Sequence, residues 1–111
     1  METVKKKVAK SSFYYSDLQE IFEYGEATFG EKAALIFYEE IFSDIENLES
    51  QYYLHPECRH LTTKTKKYRN IILGSYLIIY RITATRIEVL RAFHCSRSPK
   101  TIQGSKKIKI D

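Results

Sequence analysis

At 111 residues, 43% of them hydrophobic and 29% charged, the chain has material for one domain with a modest core. No apolar run is long enough to span a membrane, and the lysines at 5–7 lead into no apolar stretch, so neither a membrane anchor nor a secretory leader is expected. The net charge of +4 conceals an asymmetry: residues 1–58 hold five Lys/Arg against twelve Asp/Glu, and residues 59–111 hold thirteen against two. A half-chain that basic suggests an anionic partner, either nucleic acid or an acidic protein.

Taken in chain order, Val4–Lys10 alternates weakly and predicts a short first strand whose lysines would discourage edge pairing. Ser11 or Ser12 suits an N-cap. Tyr14, Leu18, Ile21, Phe22 and Gly25 then fall on one helical face, and Gly30 supplies a stop. Ser16-Asp17-Leu18-Gln19 offers a competing start, but the earlier one keeps Tyr14 in register with Leu18. From Glu31 to about Tyr53, Ala34, Leu35, Tyr38, Ile41, Phe42, Ile45, Leu48 and Tyr52 repeat at three and four, with acids on the outer face. Two amphipathic helices joined this closely form a hairpin that can lie across a sheet. Pro56 stops further helix, and residues 54–67 read as a polar linker ending in a basic run.

Three β-rich runs follow: Tyr68–Leu73, Tyr76–Ile82 and Arg86–Phe93. Gly74-Ser75 suits a type II′ hairpin, and Thr83-Ala84-Thr85 joins the second run to the third. The middle run is apolar on both faces, as befits the central strand of a covered sheet, with Ile79 buried between sheet and helices. The predicted class is α+β in the order β-α-α-β-β-β. Residues 1–103 make the domain and 104–111 a basic tail, either disordered or adding a short strand through Ile108 and Ile110.

The chemistry-bearing constellations are sparse. His55-Pro56-Glu57-Cys58-Arg59-His60 crowds metal-ligand types together and resembles the start of a zinc-deaminase signature. The Pro-Cys-X-X-Cys that should complete such a site is missing, so no metal is expected. His94 and Cys95 are neighbours on a strand, which points their side chains to opposite faces and argues against a dyad. The four glycines are scattered, so no phosphate-cradling loop exists. Cys58 and Cys95, without a secretory signal, fit free thiols in the cytoplasm.

The hairpin reading YRNIILGSYLIIYRI and the strand ending in FHCSR together resemble the RelE/ParE superfamily of toxins from type II toxin–antitoxin pairs. The matching pieces are Gly74–Tyr76, Ile79-Tyr80-Arg81 and His94–Arg97, and they lie nearer the ParE, plasmid-stabilisation side than the RelE ribonuclease side. The resemblance implies a two-helix hairpin packed on a twisted, mainly antiparallel sheet. It also implies a cytoplasmic protein with no cofactor and a cognate antitoxin as partner. In RelE-type ribonucleases it implies arginines after the Gly-X-Tyr turn and at the last strand's end, with a tyrosine just beyond. Here Leu77 follows Tyr76, Arg97 matches the strand end, and residues 98–103 contain no tyrosine. Ribosome-dependent mRNA cleavage would therefore have only His94, Arg97 and Arg81 to work with. The ParE-like expectation is a non-enzymatic toxin that binds DNA gyrase, with Arg81, Arg91, Arg97 and Lys100 as candidate contacts to target or antitoxin. A degenerate toxin that only binds its antitoxin is the remaining alternative. The basic half-chain further suggests an acidic, amphipathic antitoxin segment lying over the sheet and its rim.

Overall fold

Two helices between a first strand and a meander are what the computed structural model contains, over the described residues 4–110. The elements are β1 (Lys7–Lys10), α1 (Ser12–Phe29), α2 (Glu31–Gln51), β2 (Tyr68–Leu73), β3 (Tyr76–Ile82), β4 (Arg86–His94), α3 (Pro99–Gln103) and a 3-10 turn at Gly104–Lys107. The sheet order is β1-β4-β3-β2, with β1 parallel to β4 and the other pairs antiparallel.

Local chemistry accounts for the boundaries. Ser11 caps α1 by accepting from the Tyr14 N–H at 3.0 Å, and its own hydroxyl donates to the Leu90 carbonyl at 2.5 Å, which ties the helix start to β4. Gly30, at φ 92°, breaks the chain between the helices in a conformation that a side chain would strain. Gly74 holds φ 58° while Ser75 stays at negative φ, as a type II′ hairpin requires.

Both faces of the sheet are covered. On one side Tyr14 and Leu18 of α1 and Ile41, Ile45 and Leu48 of α2 pack on Ile71, Ile78, Tyr80, Ile87 and Val89. On the other, Cys58, Leu61 and Ile102 close over Tyr68, Ile79, Leu90 and Phe93. Ile79 is buried and central, but it faces this second layer and not the helices, because its neighbours Ile78 and Tyr80 take the helix side of the strand. A bulge explains the adjacent apolar Val89 and Leu90: the β3–β4 register jumps between Ile79 and Tyr80, leaving Leu90 as the extra residue.

The segment after Arg97 is ordered rather than trailing. Ser98 caps α3, Ile102 is buried, and Ile108 and Ile110 pack on the second layer. This strap makes no strand. It is held by side chains, since Arg81 donates to the carbonyl of Ile108 at 2.8 Å and Arg86 to that of Ile110. A domain boundary at 103 therefore has no counterpart in the packing.

Past the bulge, Arg91 reaches Asp17 on α1 with two hydrogen bonds, of 2.6 and 2.8 Å, and the same carboxylate accepts from the Ala92 N–H at 3.0 Å. Asp17 is 7% exposed. Asp17→Ala should therefore strand a guanidinium and a buried amide together, lowering stability by about 3 kcal/mol in urea denaturation. A loss below about 1 kcal/mol would mean that the pair is no more than a surface contact.

Candidate functional site

Each residue singled out by sequence occupies a defined environment. The β3–β4 register sets His94 opposite Tyr76, their rings edge-on at 5.4 Å. The His94 Nδ1 lies 2.7 Å from the Ser96 hydroxyl oxygen and accepts the Ser96 backbone N–H at 3.1 Å. In the neutral ring that acceptor role places the proton on Nε2 and the lone pair on Nδ1, where the Ser96 N–H competes for it. Arg97 follows in a turn closed by its N–H to the His94 carbonyl at 3.0 Å, and its guanidinium lies 5.8 Å from the Phe93 ring centre. Arg91 lies over the same ring at 4.5 Å. Arg91 and Arg97 thus meet at Phe93, but Arg91 is neutralised by Asp17 while Arg97 is exposed.

Arg81 belongs to another part of the molecule. It pairs with Glu88 at 2.7 Å and reaches the strap carbonyls, with its side chain only 13% exposed. It lies five steps along β3 from Tyr76, His94's partner, which is about 17 Å at the usual strand rise. Lys100 stands exposed on α3. Leu77 packs against the second core layer, so the position after Tyr76 serves packing. Of the linker's metal-ligand types, Glu57 accepts from the Thr63 N–H and Cys58 is buried in the second layer. Among the described residues no three His, Cys, Asp or Glu side chains converge on a common point.

Sequence periodicity missed an open apolar surface. Of the apolar stripe on α2, Ala34, Ile41, Ile45, Leu48 and Tyr52 are buried, but Leu35, Tyr38 and Phe42 are 44%, 42% and 53% exposed. The apolar arc of α2 is wider than the sheet can cover, so one flank remains open to solvent. Between the hairpin tip and the β2–β3 turn lies an apolar groove of about 290 Å³, walled by Ile21, Phe22, Tyr24, Phe37, Leu73 and Tyr76 among others. It adjoins a smaller notch of mixed lining, about 180 Å³, through the shared residues Ile21, Tyr24 and Tyr76. His94, Arg97 and Glu20 stand on the notch's walls. The open face is therefore this groove and its charged end, not the sheet itself, which is covered on both sides. Of the exposed stripe residues on α2 only Tyr38 lines this groove, whose α2 wall also takes Phe37, a position outside the stripe.

The family model described as ParE toxin of type II toxin-antitoxin system, parDE, matches residues 15–99, from within α1 through α2 and the whole meander. The chain belongs to the ParE toxin family. No curated protein sequence is detectably similar to it. Among solved structures it is similar to a chain of a chromosomal ParDE toxin–antitoxin system from P. aeruginosa, with 15% identity and a TM-score of 0.66 over 83% of this chain and 98% of that one. It is also similar to a chain of the RelBE2 toxin–antitoxin complex from Mycobacterium tuberculosis, with 18% identity and a TM-score of 0.50 over 85% and 97% of the two chains. At such identities the likeness is one of fold: the ParE toxin fold of two helices over a mixed sheet, closed by a parallel β1–β4 pair.

Proposed function

We propose that this ParE-family toxin acts by binding, with DNA gyrase as its target, and that a segment of a cognate antitoxin neutralises it from the groove beneath the helical hairpin. The observation that carries the binding reading is the dispersal of the residues an RNA-cleaving centre would need. Arg81 is locked to Glu88 far along the sheet from His94, and the Ser96 N–H competes for the His94 lone pair. Leu77 supplies packing where a phosphate-stabilising cation would be required. Gyrase as the target follows from family likeness, with the exposed Arg97 and Lys100 as the contacts best placed to reach a partner.

The groove suits an amphipathic segment, because its walls are almost wholly apolar and its notch offers an exposed Arg97 for a carboxylate. Expression without antitoxin tests the reading. Filamentation with DNA-damage induction that vanishes in cells with toxin-resistant gyrase is expected. Translation arrest would move the target to the ribosome.

A cell-free assay supplies the second measurement. Primer extension on ribosome-bound mRNA should show no toxin-dependent cuts, since losing one transition-state donor alone costs about 10²–10³ in rate. Site-specific cuts abolished by His94→Ala or Arg97→Ala would overturn the binding reading.

A further inference from the structure

The second half of the sequence carries nearly all of the excess positive charge, and its cations divide between the helical side, where Arg91 and Arg97 lie near α1, and the opposite side of the sheet. Residues 58–110 contain thirteen Lys/Arg and a single acid, Glu88, whose two oxygens are held by Arg81 and Arg86. Two segments cover the opposite side, the loop from Cys58 and the strap through Ile102, Ile108 and Ile110, and both pack on the second core layer. Tyr68 and Arg81 set them side by side. Lys67 Nζ lies 5.5 Å from the Tyr68 ring centre and the Arg81 guanidinium 5.8 Å from it, while Arg81 also donates to the Ile108 carbonyl.

Six lysines emerge from these neighbouring segments: Lys64, Lys66 and Lys67 from the loop, and Lys106, Lys107 and Lys109 from the strap. All six are exposed, and among the described residues none has a carboxylate within 4.0 Å. Lys66 holds φ 55° in its turn, a conformation that glycine or asparagine adopts at less cost.

We propose that this lysine face binds duplex DNA through the phosphate backbone. Three features favour that ligand. Flexible point charges on two neighbouring segments, where the one nearby loop acid, Glu57, is taken up by the Thr63 N–H, match a regular array of phosphates and carry no base readout. Binding single strands relies on aromatic rings that stack bases, and the aromatics here, Tyr68 and Phe93, are buried at 7% and 2% exposure. A protein interface needs an apolar centre, yet every exposed large hydrophobic side chain lies outside residues 58–67 and 98–110. The inference does not depend on gyrase being the target. It gives the toxin a DNA contact of its own, on the side away from the groove.

Fluorescence anisotropy of the purified full chain with a labelled random-sequence duplex tests it. With four to six phosphates engaged, affinity should fall about 10²–10³-fold between roughly 50 and 200 mM salt. The variant Lys64→Gln/Lys67→Gln/Lys106→Gln/Lys109→Gln should lower the log–log salt slope by about 0.9 per lysine engaged, whereas Lys5→Gln/Lys32→Gln on the helical side should leave it unchanged. In the unmutated protein, duplex DNA should shield the same lysines from amine acylation. Undetectable binding at the lower salt, or a slope and shielding pattern indifferent to these lysines, would overturn the proposal. So would tighter binding of single-stranded RNA of equal length, or binding of polyglutamate but not DNA.

Discussion

Replacing Glu88 with alanine is expected to destabilise the domain by about 3–5 kcal/mol, the effect of removing one member of a buried ionic cluster. Glu88 is 6% exposed and lies 2.7 Å from both Arg81 and Arg86. The same two arginines hold the strap by its carbonyls, so alanine leaves two cations short of a partner and frees the strap's anchors. The cluster also sets a pH dependence. Burial pushes the Glu88 carboxyl up, but hydrogen bonds and charge from Arg81 and Arg86 outweigh it and hold the group below its ordinary value of 4.5. A carboxyl depressed on folding stabilises the native state above its unfolded pKa, and that contribution is lost as pH falls through the folded one. Thermal melts should therefore show Glu88→Gln less stable than the parent at neutral pH, with the gap narrowing as pH drops well below 4.5. A gap that persists at the acidic limit would mean that the contribution is packing, not charge.

Ile79→Ala is the second large effect, at about 2–5 kcal/mol for emptying a fully buried aliphatic site. Set against a total of about 5–15 kcal/mol for a typical domain, this leaves a marginal protein. The burial is on the strap's side, among Leu90, Phe93 and Ile102. Hydrogen exchange should accordingly quicken first at the Leu61 and Ile102 amides, which bond to the carbonyls of Cys58 and Ser98. The inner amides of α1 and α2 should follow only on global unfolding. A loss under about 1 kcal/mol, or first loosening at the helices, would contradict this placement.

The order of elements was legible because each has its own period. The Ser11 cap, the Gly30 break and the Gly74 turn are local signals that tertiary contacts did not override. What stayed hidden depends on partners distant in sequence. Nothing near Val8 indicates that its neighbour is Ile87, and a strap held by arginine-to-carbonyl bonds leaves no periodicity to read. The arginines make the same point. Arg81, Arg91 and Arg97 look alike in the sequence, but a free cation differs from a consumed one only by whether a carboxylate arrives beside it in space. Glu88 and Asp17 do so for the first two. On α2 the period was right, but Leu35, Tyr38 and Phe42 of its apolar set face solvent. Which flank the sheet would leave uncovered follows from the packing of α1, which no pattern within α2 encodes.

The parallel pairing of Lys7–Lys10 with Arg86–Val89 has a consequence for the order of folding. The first strand to leave the ribosome must wait for the last. Such long-range closure is slow compared with helix formation, and translation proceeds at only about 5–20 residues per second. For seconds, then, a nascent chain carries a helical hairpin with no sheet to cover its apolar side. During that interval it resembles a chaperone client more than a toxin, and an interrupted message yields a fragment unable to assemble the strand that carries Arg91 and His94. Assembly of the sheet is thereby deferred until β4 has been made, a delay imposed by topology alone.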